Sequence, residues 1–132
     1  MKKLFIVVLL AFLLLAFMGC NEKTYLLKNT VDLIECIEIV SAQNSLEFTV
    51  IKTLSEKEQN IFLEQFQMIE FNSYFMGDPM SVNGRAVKIN YKNGDYEIIC
   101  HYWAEFVKNG EVYFVRKWCD EISFNQLIND FL

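Results

Sequence analysis

Fifteen consecutive residues, Leu4 to Met18, carry no polar side chain, and the run ends at Gly19-Cys20 before the abruptly polar Asn21-Glu22-Lys23. Beyond it the apolar positions acquire periods. Residues 21–29 are mostly polar and show none, so the stretch from Cys20 to Asn29 reads as a tether. Thr30 to Val40 is rich in Val, Ile and Leu, with Glu35 and Glu38 breaking the alternation, as in a strand apolar on much of both faces. Ser41-Ala42-Gln43-Asn44-Ser45 has turn chemistry. Leu46, Phe48, Val50 and Leu54 then alternate with Glu47, Thr49, Ile51 and Thr53, a half-buried strand that completes a hairpin.

Two helices are expected. Ser55-Glu56-Lys57-Glu58 has the spacing of a capping box, and Ile61, Phe62, Phe66 and Ile69 follow at helical intervals, predicting a helix over 56–70. Ser123-Phe124-Asn125-Gln126 repeats that spacing ahead of Leu127, Ile128 and Phe131. Between the helices, Lys92-Asn93-Gly94-Asp95 and Lys108-Asn109-Gly110-Glu111 each set Asn-Gly between opposite charges, the strongest short hairpin signal. A two-residue loop at 93–94 would place Val87, Ile89 and Tyr91 opposite Cys100, Ile98 and Tyr96. A two-residue loop at 109–110 would place Ala104 opposite Val115, Phe106 opposite Tyr113 and Lys108 opposite Glu111. Both registers turn Tyr96, Ile98, Cys100, Tyr102, Ala104 and Phe106 of one long middle strand inward, predicting a three-stranded meander. The element order is ββαβββα, an α+β domain over 30–132 whose antiparallel sheet carries both helices on one face.

The first twenty residues have the order of an export signal: basic Met1-Lys2-Lys3, an apolar segment, then a small residue at the boundary. Phe17-Met18-Gly19-Cys20 resembles a bacterial lipobox, with Phe17 and Met18 where an aliphatic and a small residue are usual. The resemblance implies removal of residues 1–19 and a diacylglycerol on Cys20, hence an exported chain held by lipid at the outer side of a cytoplasmic membrane. Two alternatives share the pattern. One is an ordinary secretory signal. The other is an uncleaved anchor, although a spanning helix ordinarily needs ~20 apolar residues. Ile89, Tyr91, Asn93-Gly94, Tyr96, Ile98-Ile99, Phe124 and Leu127-Ile128 are similar to a pattern in small uncharacterised lipoproteins of low-GC Gram-positive bacteria, which implies no activity.

From Cys20 onward, seventeen acidic residues stand against ten basic ones once Lys2 and Lys3 are set aside, a net charge of about −7. A surface of that sign is repelled by phosphate backbones, which argues against nucleic acid as a partner. The remaining cysteines are Cys36, Cys100 and Cys119. The hairpin register sets Cys100 opposite Cys119 at a separation a disulfide tolerates, so either a bridge or a pair of buried thiols is expected there. No Cys-x-x-Cys spacing argues for a zinc site, and no cofactor is implied. His101, the one histidine, adjoins Cys100, but strand neighbours point to opposite faces and cannot form a nucleophile–base pair. The carboxylates are scattered, without a pair that separates into acid and base.

One surface stands out. The expected register puts His101 opposite Trp118, Trp103 opposite Arg116 and Glu105 opposite Phe114, and Ile99 joins them. Ile99, His101, Trp103, Phe114, Arg116 and Trp118 thus form a candidate binding patch on the side away from the helices. The same aromatics could instead stabilise the sheet, or lie beneath the N-terminal hairpin or the 72–85 loop, which offers Tyr74, Phe75, Met76, Met80 and Arg85. The expected function is a membrane-tethered extracytoplasmic binding module for a protein or small ligand. An immunity or inhibitor lipoprotein acting on an exported protein is the alternative, and a thiol redox enzyme or hydrolase is the alternative of another class.

Overall fold

The computed structural model describes residues 23–74 and 77–132. The export signal and Cys20 lie outside the described residues, as do Phe75 and Met76 of the 72–85 loop. Strands β1 (Ile34–Ala42), β2 (Phe48–Thr53), β4 (Gly84–Tyr91), β5 (Tyr96–Cys100), β6 (Trp103–Lys108) and β7 (Glu111–Val115) form one antiparallel sheet in the order β2-β1-β4-β5-β6-β7. The short β3 (Asn72–Ser73) and β8 (Lys117–Trp118) pair separately. Helices α1 (Glu56–Phe66) and α2 (Glu121–Asn129) complete the expected α+β fold.

Both helices cover one face of the large sheet. Phe62, Leu63 and Phe66 of α1 and Phe124, Leu127 and Ile128 of α2 pack on Ile37, Ile39, Val87, Ile89 and Ile99. Burying a side chain of this size contributes ~1.5–3 kcal/mol, so this layer is the main source of stability. The Ser55 capping box forms as expected: the Ser55 hydroxyl accepts from the Glu58 amide at 3.2 Å and Glu58 accepts from the Ser55 amide at 3.1 Å. The helix stops at Phe66, earlier than its apolar spacing suggests. The second helix starts two residues before Ser123, because Asp120 takes the cap and accepts from the Ser123 amide at 2.9 Å. Lys52 joins the layers, its ammonium donating at 2.6 Å both to Glu58 and to the Phe131 carbonyl just past α2.

Residues 23–29, expected as tether, lie against the domain. Tyr25 is buried between Phe66 and Phe71, at ring distances of 5.5 and 5.1 Å. The Phe71 amide donates to the Lys23 carbonyl at 2.6 Å, and Thr24 bridges Glu70.

The two Asn-Gly quartets make different turns. At Lys108-Asn109-Gly110-Glu111 both central residues have positive φ (54° and 76°), and Lys108 faces Glu111 as expected. At the other, the Gly94 amide donates to Tyr91 at 3.0 Å and the Tyr91 amide to Asp95 at 2.9 Å, with Gly94 at φ 91° and Asn93 not at positive φ. That is a three-residue loop closed by a glycine bulge. It moves the register by one: Val87 faces Ile99, and Ile89 faces Glu97. A one-residue slip exchanges the faces of a strand. Ile99 and Glu97 therefore turn toward the helices, and Tyr96, Ile98 and Cys100 turn away. The expected long middle strand is also two strands. A turn at His101-Tyr102 folds it so that Cys100 faces Trp103, giving a four-stranded meander. Beyond that turn the expected faces return, with Ala104 buried on the helix side and Phe106 packed there.

The second face of the sheet is partly covered too. Val40, Ala42, Ala86, Ile98, Cys100 and Trp103 pack with Val82 of the segment that precedes β4. Toward the β2 edge, Lys88 pairs with Glu38 at 3.6 Å and sits 4.5 Å from the ring centres of both Phe48 and Tyr96.

Candidate functional site

The meander delivers a chain of aromatic rings to the second face. Trp103 opens β6 directly after the His101-Tyr102 turn, and Phe114 lies across from Glu105 on β7. Trp118 belongs to β8, where it pairs with Asn72, and Tyr74 follows β3. Ring centres run from Trp118 to Tyr74 at 6.3 Å, from Tyr74 to Trp103 at 6.0 Å and from Trp103 to Phe114 at 5.8 Å. The Arg116 guanidinium lies 5.7 Å from the Trp103 ring, a cation–π arrangement. The stack is thus closed at its centre and open at its ends: Trp103 is buried, whereas Phe114 is 49% and Trp118 39% exposed.

The segment between β3 and β4 supplies the cover. Tyr74 donates its amide to the Arg116 carbonyl at 3.0 Å and its hydroxyl to the Tyr102 carbonyl at 3.1 Å. Arg116 donates to the Gly77 carbonyl at 3.1 Å, and the Tyr102 hydroxyl reaches the carbonyls of Ser81 and Asn83 at 3.2 and 3.3 Å. The Val82 amide donates to the buried Glu105 carboxylate at 3.1 Å. Beneath this cover the Trp103 indole nitrogen is buried without a hydrogen-bond partner among the described residues. An unpaired buried donor costs ~1–3 kcal/mol, and a bound acceptor would recover it.

The structure brings together Trp103, Phe114, Arg116 and Trp118 of the expected patch and separates the other two. Ile99 is buried in the helix-side core, the consequence of the register shift. His101 sits in the turn, half-buried, with its ring against Tyr102 at 5.1 Å. At Trp103 the alternative of a covered patch holds, since Tyr74 and Val82 of the 72–85 loop pack over it. Glu105 faces Phe114 as expected.

Among the described residues, Cys36, Cys100 and Cys119 are free thiols. The pairing that would set Cys100 opposite Cys119 is replaced by Cys100 opposite Trp103, and the two cysteines enter different apolar clusters. What joins their neighbourhoods is the Cys119 amide, donating to the His101 carbonyl at 2.6 Å. Burial pushes Cys100 up and Cys119 up to about 12, and burial with the Glu38 carboxylate nearby raises Cys36. Reactive cysteines need the opposite, an electropositive and partly open setting. Among the described residues no group of three or more His, Cys, Asp or Glu side chains is placed to hold a metal ion, and no helix is long and apolar enough to cross a membrane.

One polar cluster escapes sequence reasoning. Glu97 is buried on the helix side and accepts from the Tyr25 hydroxyl at 2.9 Å, the Lys28 amide at 2.9 Å and the Tyr91 hydroxyl. Burial raises its carboxyl above the ordinary range against the pull of those donors. The alternation of β5, read with a two-residue loop at 93–94, assigns Glu97 to the solvent side. Only the glycine bulge at Gly94 places it inside.

No family model, curated protein or solved structure matches the chain.

Proposed function

We propose that this chain is an exported lipoprotein, attached through Cys20 to the outer side of a cytoplasmic membrane, whose α+β domain binds an extracytoplasmic partner through the open ends of the aromatic stack. The observation that carries the binding reading is the exposure of Phe114 and Trp118 at the two ends of one continuous run of rings, with Arg116 over its centre. Aromatics with an adjoining arginine are the residues that most often anchor interfaces, because they offer large contact area with little side-chain entropy to lose. Gly19-Cys20 after the apolar run supports the attachment. Two acyl chains suffice for a stable anchor.

The attachment predicts that the full chain fractionates with membranes and that Cys20→Ser releases it or leaves it unprocessed. Binding is tested by capture from envelope extract with residues 21–132, comparing the wild type with Phe114→Ala/Trp118→Ala. Both substitutions remove partly exposed rings, so the variant should remain folded and unfold cooperatively. A protein retained by the wild type and lost from the equally folded variant identifies the partner. Identical captures from both would end the case for this surface.

A further inference from the structure

Resting on the proposed attachment at Cys20, the start of the domain has a second consequence. The chain is fixed from Lys23 onward, by the bond from the Phe71 amide to the Lys23 carbonyl, by the Thr24–Glu70 bridge and by the buried Tyr25 ring with its bond to Glu97. Between Cys20 and Lys23 stand only Asn21 and Glu22. Three Cα-to-Cα steps span at most about 11 Å. A domain held on so short a leash cannot present an arbitrary side to the bilayer, because the edge carrying Lys23 must lie at the headgroups.

That edge has the right side chains. Met68 at 79% and Leu26 at 77% are the most exposed large apolar residues among those described. Each lies two positions from one member of the Thr24–Glu70 bridge, Leu26 after Thr24 and Met68 before Glu70. Neither contributes to the buried clusters. Left in water they are a cost without a structural return. Electrostatics does not supply the contact, since a mature chain near −7 is repelled by anionic headgroups. We propose that the edge formed by residues 23–26 and 68–71 is the membrane-facing surface of the domain, with the Leu26 and Met68 side chains inserted among the lipid headgroups.

Insertion orients the domain as well as seating it. The turn at Gln43–Glu47 packs against the second face of the sheet, where the Tyr96 hydroxyl donates to the Ser45 carbonyl at 2.7 Å. Its Leu46 is also exposed but belongs to the face opposite the helices, and it is the internal control.

The test uses the full chain, purified from membranes and reconstituted into phosphatidylcholine–phosphatidylglycerol vesicles whose acyl chains are brominated near the headgroup. An indole is introduced by Leu26→Trp, Met68→Trp or Leu46→Trp, and fluorescence is read as the difference from the unsubstituted chain. Interfacial apolar side chains reach ~5–10 Å into the headgroup boundary, so quenching at positions 26 and 68 should exceed that at 46 by about twofold or more. The mass of the peptide containing Cys20 reports acylation separately. An acylated chain with quenching no greater at 26 and 68 than at 46 overturns this surface and leaves the attachment standing. A chain that lacks the acyl group yet floats with the vesicles and is quenched at 26 and 68 supports the surface and overturns the lipid. A chain that neither carries lipid nor floats overturns both.

Discussion

The hydroxyl of Tyr25 donates to the carboxylate of Glu97 at 2.9 Å, seventy-two residues along the chain, and joins the first described segment to the middle of the sheet. Tyr91 donates to the same carboxylate from β4, and the Lys28 amide does so at 2.9 Å. No cation is among these partners. The site holds a carboxyl where water is excluded and compensates it with neutral hydrogen-bond donors and, more weakly, the Lys28 charge, and burial outweighs them in setting its protonation.

Stability should therefore depend on pH through Glu97 with a definite sign. A carboxyl whose folded pKa lies above its unfolded value stabilises the protein fully below the unfolded value, near 4.5, and loses that contribution as pH rises through the folded one. Glu97→Gln removes the titration while keeping the shape. The difference in melting temperature between wild type and Glu97→Gln should favour the wild type most in acid and shrink as pH rises above about 4.5. Taking the difference cancels the caps at Glu58 and Asp120, whose lowered values give the opposite trend in both proteins. A difference that does not change with pH would mean Glu97 has the same pKa folded and unfolded.

The aromatic stack should divide sharply in stability measurements. Trp103→Ala removes a buried ring contacted by Tyr74, Phe114 and Arg116 and should cost about 3–5 kcal/mol in denaturant unfolding. Phe114→Ala and Trp118→Ala truncate exposed ends and should each cost no more than about 1 kcal/mol. Comparable losses at all three positions would make Phe114 and Trp118 part of the core and take away the binding reading.

What the sequence made legible follows from where the information is local. The Ser55 capping box, the apolar stripe of the second helix and the 109–110 turn depend on residues within a few positions of one another, and all are present; of the first helix's expected stripe Phe62 and Phe66 are buried, whereas Ile61 is exposed and Leu63 is buried instead. The middle of the meander was not legible, for two separate reasons. Lys92-Asn93-Gly94-Asp95 satisfies a type I′ turn and a three-residue glycine-bulge loop equally well, and the second forms, with the Asn93 side chain accepting from the Asp95 amide at 3.0 Å. His101-Tyr102 carries no glycine, proline, asparagine or aspartate, and neither residue takes positive φ, so nothing in those two residues marks the turn. Tertiary contacts hold it, through the Tyr102 hydroxyl on Ser81 and Asn83 and the His101 carbonyl on the Cys119 amide. Four of the six residues of the expected patch stay together because the 109–110 register is correct. Ile99 left it because the 93–94 register is not.

The two Asn-Gly turns can be told apart by substitution. A Cβ at Gly94 or Gly110 meets open space, so Gly94→Ala and Gly110→Ala should each cost the backbone strain alone, about 1–2 kcal/mol. Asn109 itself sits at φ 54°, so Asn109→Gly should be close to neutral. Asn93→Gly gains no such relief and loses the bonds to the Asp95 amide and carboxylate, at 3.0 and 3.1 Å, so it should cost about 0.5–1.5 kcal/mol. Chemical denaturation of the four variants checks this, and a neutral Asn93→Gly would point to a type I′ turn at both places.

The thiols give the most direct check on the second face. Alkylation requires thiolate, and every described cysteine is shifted away from it. Cys100 is buried and directs its thiol to the Trp103 carbonyl at 3.2 Å, and Cys119 is buried beside the helix core. Cys36 is half-buried, with the Asn90 amide group donating to its sulfur at 3.4 Å. In a chain carrying Cys20→Ser, iodoacetamide at neutral pH should modify Cys36 first and slowly, and Cys100 and Cys119 only after unfolding. Mass spectrometry of the peptides, with no reductant added, then separates two arrangements that the sequence left open. Three labelled cysteines after denaturation mean that Cys100 and Cys119 are free thiols, as the pairing of Cys100 with Trp103 across the His101-Tyr102 turn requires. A missing pair at Cys100 and Cys119 means that they are bridged, in which case the bridge would constrain the turn to which Tyr74, Ser81 and Asn83 of the covering segment are bonded, and reduction should loosen that cover and expose the indole to quenchers.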